Sequence, residues 1–249
     1  MLHGWLDLET VTFLTLCPVF AVLEWLAPAR PVRRWRQLPV DLIAFFVLLP
    51  AGKAIQIALT AGMNAAGLDR TASVLSALRG LSPIPKVLLG LVLVDLALYW
   101  MHRWLHSSVL WRAHKWHHSI EHLYWFSGFR ASLVQLALNA VPQFVIPVVI
   151  LHATPLQVGI GFSVGLFFQL WIHANLPISL GVLRHVFVSP AFHRVHHSTA
   201  RAHRDKNFGG FFTVWDRMFG TFVDPLRTRA DFAIGIDGDH SAARMLVGV

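Results

Sequence analysis

Residues 84–119 read IPKVLLGLVLVDLALYWMHRWLHSSVLWRAHKWHHS. An apolar run long enough to span a bilayer, Ile84 to Met101, passes without a break into a segment crowded with histidine. At the frequency of the whole chain, 15 histidines in 249 residues, a window of this size holds about one, whereas 102–118 holds five. On a helix, positions i, i+3 and i+4 share a face. His102-x3-His106 therefore points one way, and His114-x2-His117-His118 offers three imidazoles to one small volume. Asp95, Tyr99, His102 and His106 continue a single helical face at i, i+4, i+7 and i+11.

Outward from this stretch the chain repeats both themes. Residues 189–198, SPAFHRVHHS, restate the second pattern as His193-x2-His196-His197, and WIHANLP at 171–177 places His173 at the end of another apolar run. Neutral imidazole is a good ligand for iron, zinc, copper or nickel, and nine such groups are too many for one ion and suit two. The remaining histidines, His3, His122, His152, His185, His203 and His240, read as interfacial polar residues. Asp95, a carboxylate inside a span, is a functional candidate by default. It is expected to orient a ligand histidine or balance metal charge, the alternative being a pair with Lys53.

Four further runs are apolar: about Val11–Ala27, Pro39–Ala61 (interrupted by Lys53), Leu133–Leu151 with Pro142 and Pro147 expected to kink it, and Leu156–Ile172. Charged residues are 14% and hydrophobic residues 55% of the chain, against about 25% charged in a soluble domain; mean hydropathy is +0.55. The formal charge of +8 does not indicate nucleic acid, because the basic residues sit in short loops and a polar C-terminal region. The fold expected is all-α, a membrane bundle of about four to five spans with a histidine-rich helical cap. Basic segments at Arg30–Arg36, 102–130 and 173–249 put that cap on the cytoplasmic side. The 62–83 loop, with Arg70 and Arg79, fits this pattern least well. Asp7 and Glu9 without Lys or Arg before the first run argue against a signal peptide. The single cysteine, Cys17, rules out a disulfide framework or an iron–sulfur cluster within one chain.

At these residues the chain resembles the fatty acid hydroxylase / sterol desaturase superfamily of membrane oxygenases. The resemblance runs through Asp95 with YWMHRWLH, HKWHHS, GFR at 128–130, HANLP at 173–177 and SPAFHRVHHS, then Asn207-Phe208-Gly209 and WDRMFGT at 215–221. It implies a catalytic region over 84–225 between N-terminal spans (1–83) and a C-terminal tail (226–249). It also implies two iron ions, with zinc a possible substitute in purified protein, held by His102, His106, His114, His117, His118, His173, His193, His196 and His197. No catalytic residue separate from the metal site is expected. The chain departs from the pattern where Arg130 is followed by Ala-Ser-Leu, and where Asn175 and Pro177 stand near a position that is histidine in some relatives. Asn175 is expected to hold a metal-bound water there, and the ninth and tenth ligand positions stay open.

The resemblance implies an oxidoreductase that uses O2 to hydroxylate or desaturate a C–H bond of a lipid, whether fatty acyl, sterol or isoprenoid. The alternatives are another oxygen-dependent lipid cleavage, such as ether-lipid monooxygenation, or a membrane metal transporter or store. Electrons are expected from an external donor, a ferredoxin or cytochrome with its reductase, since no G-x-G-x-x-G unit is present. Arg103, Arg112, Lys115, Arg194, Arg201, Arg204 and Lys206 are candidates to attract an acidic carrier or phosphate headgroups. The setting expected is the plasma membrane of a bacterium. Trp100, Trp104, Trp111, Trp116, Tyr124, Trp125 and Phe126 read as interface anchors more than as a substrate passage. The NFG…WDRMFGT stretch, with Asn207, Trp215, Asp216 and Arg217, is expected to pack the last histidine group against the bundle.

Overall fold

The computed structural model describes residues 3–67, 76–228, 231–236 and 242–248; Arg70 and His240 lie outside the described residues. These form α1 (His3–Leu26), α2 (Leu38–Ala65), α3 (Ser76–Arg79), α4 (Pro83–Leu105), α5 (Trp111–His118) and α6 (Leu133–Phe144). They continue with α7 (Pro155–His173), α8 (Pro190–His196), α9 (Val214–Met218) and α10 (Ala242–Val247). Among the described residues, β pairing is limited to two isolated bridges, Phe187–Phe212 and Ser198–Ile234.

Five helical segments are long and apolar enough to cross a membrane: Leu8–Leu26, Leu38–Ala65, Pro83–Leu105, Leu133–Ile150 and Pro155–His173. They coincide with the five apolar runs of the sequence. Three of the helices start on a Ser-Pro or Thr-Pro pair, at 82–83, 154–155 and 189–190. Proline at the first helical position presets φ and has no N–H left over to satisfy. Thr154 and Gln157 close a reciprocal capping box at the start of α7. At the start of α6, Ser132 accepts the backbone N–H of Gln135. The disturbance expected near Pro147 takes the form of a π-helical segment, Val145–Ile150, continuing α6. A proline there cannot supply the N–H that an α-helical ladder needs.

In the bundle α1 lies against α7, α2 against α6, and α4 against both α6 and α7. Cys17, Phe20, Leu170, Ala174 and Leu176 fill the contact between α1 and α7; Met63, Phe144 and Val158 fill a second core. Outward faces stay apolar, with Leu14, Trp25, Phe46 and Leu88 all more than half exposed, as suits helices whose solvent is lipid. Lys53 points inward and pairs with Glu9 of α1, so it is not the partner of Asp95.

Two carboxylates tie the bundle to its polar cap. Glu24, late in α1, accepts the backbone N–H groups of Trp125 (2.7 Å) and Asn175 (2.8 Å). Asp41, early in α2, pairs with Arg130 and accepts the Tyr124 hydroxyl at 2.7 Å. Both lie at the end of the bundle where α4 and α7 finish, and that end carries the histidines.

Candidate metal centre

The structure brings all nine histidines of the three motifs together and divides them into two groups. His102, His106, His114, His118 and His196 form one; His117, His173, His193 and His197 form the other. Within each group the ligand atoms lie within 4.8 Å of one another. Each H-x2-HH motif is therefore split, where the spacing alone suggested one volume per motif. On a helix, i and i+4 diverge by about 40° one way and i+3 by about 60° the other. A short helix set between two sites thus sends the i, i+4 pair to one and the i+3 residue to the other. On α5 the pair His114/His118 goes to the group of five and His117 to the group of four. On α8 the pair His193/His197 goes to the group of four and His196 to the group of five.

Hydrogen bonds on the outer ring nitrogens decide which lone pairs face inward. Nδ1 of His102 donates to the Phe208 carbonyl (2.9 Å), His117 to Arg130 (2.9 Å), His173 to Gln169 (2.8 Å) and His196 to Lys206 (2.8 Å). A carbonyl only accepts, so these four Nδ1 atoms carry the proton and each neutral ring has a bare Nε2. His106 is held likewise by Asp205 at 3.1 Å and His114 by the Gln135 amide at 3.0 Å. The inward Nε2 atoms then crowd together: His102 and His114 at 3.0 Å, His106 and His118 at 3.1 Å, His117 and His173 at 3.2 Å. Nε2 of His196 is buried with no hydrogen-bond partner.

Lone pairs aimed at one another in a buried site repel unless a cation lies between them. In the group of four the Nε2 atoms close a ring, 117–173–193–197, with edges of 3.1–3.2 Å. Nitrogens about 2.0–2.1 Å from a shared ion stand about 3.0–3.4 Å apart. The donor set therefore fits a metal ion. Burial, with neighbouring imidazoles adding to it, pushes His114, His117, His118, His193, His196 and His197 well below the ordinary histidine range. They are neutral, the form that ligates.

Asp95 sits one step farther from the histidines than the sequence suggests. Its carboxylate accepts the backbone N–H groups of Phe211 (2.8 Å) and Phe212 (3.0 Å) and the Trp215 indole (2.8 Å). It thus anchors the loop whose Phe208 carbonyl holds His102. Asp216 holds the same loop through the N–H groups of Phe208 and Gly209, both at 2.8 Å. Asn207, at φ 59°, spans Phe192 and Val223 with its amide. The NFG…WDRMFGT stretch thus packs against α8 and α4 as expected. Asn175 is not turned toward the histidines: its amide bonds the backbone of Arg30 at 3.1 and 2.7 Å. That contact pins the exit of α1, so the water-holding role is withdrawn.

Several positions that support the site went unread in the sequence. Asp41 and Glu24 carry the signal that singled out Asp95, a lone carboxylate in an apolar run. Gln135 and Asp205 carry none, and the four carbonyls belong to the backbone. Gly128 of the GFR motif backs directly onto His173: a Cβ there would lie 2.6 Å from its Nδ1. Gly128→Ala is expected to displace that ring and lower bound metal while the helical content, read by circular dichroism, stays unchanged.

Beneath the histidines a cavity of about 620 Å³ runs into the bundle, reaching His102, His114, His117, His173 and His193. Its aromatic lining comes from Phe13, Phe45, Phe129, Phe162, Phe168 and Phe211 among others. None of the seven aromatics considered from sequence lines it. Trp116 is buried in a separate core with Ala44 and Leu48, and Trp104 is 60% exposed. On the outer side a smaller pocket of about 360 Å³ reaches His106 between Arg103, Asp205 and Lys206. Arg201 and Arg204 are exposed, whereas Arg194 is buried beneath the site and drops out of any docking surface.

The fatty acid hydroxylase family profile matches residues 87–221. Alkylglycerol monooxygenase from Danio rerio is 37% identical over 131 residues, covering 52% of this chain and 29% of that protein. Ornithine lipid hydroxylase from Rhizobium tropici is 34% identical over 158 residues, 61% of this chain and 46% of its own length. Delta(7)-sterol 5(6)-desaturase from Gibberella zeae is 30% identical over 146 residues, 55% of this chain and 37% of its own. The chain thus spans less than half the length of each of these relatives. No solved structure is a significant match.

Proposed function

Since the chain belongs to the fatty acid hydroxylase family, we propose that it is a membrane di-iron oxygenase that oxidises a C–H bond of a lipid. The observation that carries this reading is the pair of neutral imidazole groups, lone pairs converging, at one end of a largely apolar cavity. His102, His106, His114, His118 and His196 hold one ion and His117, His173, His193 and His197 the other. Bound there, the two ions supply reductive activation of O2, chemistry that an unactivated C–H bond requires and that acid–base residues do not provide.

The chain's own part is positional. Carbonyls of Phe208, Arg130, Gln169 and Lys206 lock the rings, and the apolar cavity walls exclude water and admit one lipid chain. For hydroxylation one oxygen atom enters the C–H bond and the other leaves as water, with two electrons and two protons supplied from outside. The electrons come from a separate acidic carrier, a ferredoxin or cytochrome, docking over Arg103 and Lys206 at the pocket that reaches His106. The positive-inside distribution of Arg30–Arg36 and the histidine segments supports a cytoplasmic site.

The alkylglycerol monooxygenase match favours a second reading, oxidation at a C–H bond of an ether lipid. Lipid profiling of cells carrying wild type or His117→Ala, which removes one of the four imidazoles of the smaller group, tests both. A lipid that loses its hydroxyl, double bond or cleavage product only in the variant supports the oxygenase, and its identity chooses between the readings. Identical lipids in wild-type, variant and deleted cells would sink the proposal.

A further inference from the structure

The loops that close the site reach back along a spanning helix. Asp95 stands ten residues before Leu105, the last residue of α4, so it lies about 15 Å down the axis from that end. It is fully buried and accepts the N–H groups of Phe211 and Phe212. Residues 211–213 in turn pair with 186–188: Val188 donates to the Phe211 carbonyl at 3.0 Å and Thr213 to the Val186 carbonyl at 2.9 Å. Both segments therefore sit beside α4 within the length that crosses the membrane. Non-helical backbone is tolerated at such depth only where protein satisfies its polar groups. Every N–H of 186–188 and 211–213 is bonded, the rest through turns onto the Leu183 carbonyl. A carboxylate in the middle of an apolar helix thereby has a use apart from the metals.

The outward side chains of these segments and their flanks are apolar. Val182 is 77% exposed and Met218 64%, and Leu183, Val186, Phe187 and Phe219 are each more than a third exposed. Charges on the same stretch are taken up within the protein. Arg184 clasps Asp224 through Nε at 2.9 Å and Nη2 at 3.0 Å, and Arg217 donates to His185 at 2.7 Å. Toward the cap the character changes in order. Phe187 lies at the level of Asp95 through its bridge to Phe212. Phe219 meets Trp100 at 4.8 Å between ring centres, and Arg103 lays its guanidinium over Trp100 at 5.2 Å. Apolar, then tryptophan, then arginine is the order of side chains across a lipid–water boundary.

We propose that residues 182–187 and 218–219 form a hydrophobic lip immersed in the leaflet on the histidine side, its partner the acyl chains of the bilayer. An exposed apolar patch of this kind marks an interaction surface, and this one is continuous with the lipid-facing length of α4. Phe211, beside Phe212, lines the cavity and stacks on Phe168 at 4.6 Å between ring centres. The same segment thus faces the leaflet on one side and the cavity on the other. The inference rests on the spanning helices and holds whatever reaction the histidines perform.

The test is the depth of nitroxide labels on the full chain in vesicles of phosphatidylethanolamine and phosphatidylglycerol. In a Cys17→Ala background the labelled variants are Val182→Cys, Leu183→Cys and Met218→Cys, with Arg201→Cys on the cap and Leu88→Cys on the lipid face of α4 as references. All five positions are exposed, so the labels leave the packing alone, and thermal unfolding checks each variant. Collision rates with oxygen, which partitions into lipid, and with a nickel chelate, which stays in water, give the depth. Labels at 182, 183 and 218 are expected about 5–10 Å below the phosphates, favouring oxygen as the label at 88 does, while the label at 201 favours the chelate. Chelate-favoured collisions at 182, 183 and 218 matching those at 201 overturn the proposal, because the lip then lies in water. Low rates with both reagents overturn it as well, because a second copy or another protein then covers the patch.

Discussion

Replacing His117 with alanine is expected to leave about one metal ion per chain instead of two. His117 is one corner of the ring of four Nε2 atoms, 3.2 Å from both His173 and His197. Three imidazoles remain in that group, while the group of five keeps all its members. His106→Ala makes the contrast: it leaves four imidazoles in its group and is expected to retain both ions. Turnover should fall in His117→Ala by more than the ~100-fold that loss of an outer hydrogen-bond partner costs. Metal stoichiometry by plasma mass spectrometry on the purified variants decides the matter. Two ions retained in His117→Ala would remove that residue from the ligand set, and equal losses in both variants would contradict the division into five and four.

Asp41→Ala is expected to destabilise the protein by about 3–5 kcal/mol, the cost of stranding a buried charge. Asp41 is fully buried, Arg130 is 3% exposed, and the guanidinium Nε donates to Asp41 Oδ1 at 2.7 Å. Among the described residues, alanine leaves the guanidinium only its contacts with Ser119, both at 3.1 Å. The backbone carbonyl of Arg130 also holds His117, so metal should fall along with stability. Thermal unfolding in detergent measures the first effect and metal content the second. The double variant Asp41→Ala/Arg130→Met removes both charges and should recover much of the lost stability. A double variant no more stable than Asp41→Ala would show that the pairing is not what the bundle relies on.

Hydrophobic runs and histidine spacing were legible because each follows from local geometry. Twenty apolar residues imply a span whatever surrounds them, and H-x3-H or H-x2-HH implies neighbouring imidazoles wherever the segment is helical. The runs from Val11 to Ile172 became the five spanning helices, and Asp95 stood out because carboxylates are rare in such a run. The same reasoning applied to Asp41 and Glu24 would have found both. The role expected for Asn175 came from the family resemblance alone, and its amide is instead taken by the Arg30 backbone, because a loop partner 145 residues away leaves no local trace. The seven aromatics read as interface anchors more than as a passage, and none of them lines the cavity: an aromatic in such a segment reports burial or an interface, not which cavity it faces.

The sequence by itself determined that this is an all-helical, membrane-spanning chain with nine histidines gathered at one end, because hydropathy and helical periodicity act over a few turns. Only the tertiary structure decided how those nine divide. His117 and His196 leave their own motifs because α5 and α8 lie between two sites, a fact of packing. Tertiary structure alone also chose which nitrogen faces inward, through backbone carbonyls that come with any residue type. It alone brought Lys86, Lys53 and Gln157, on three helices far apart in the chain, into the lining of one cavity.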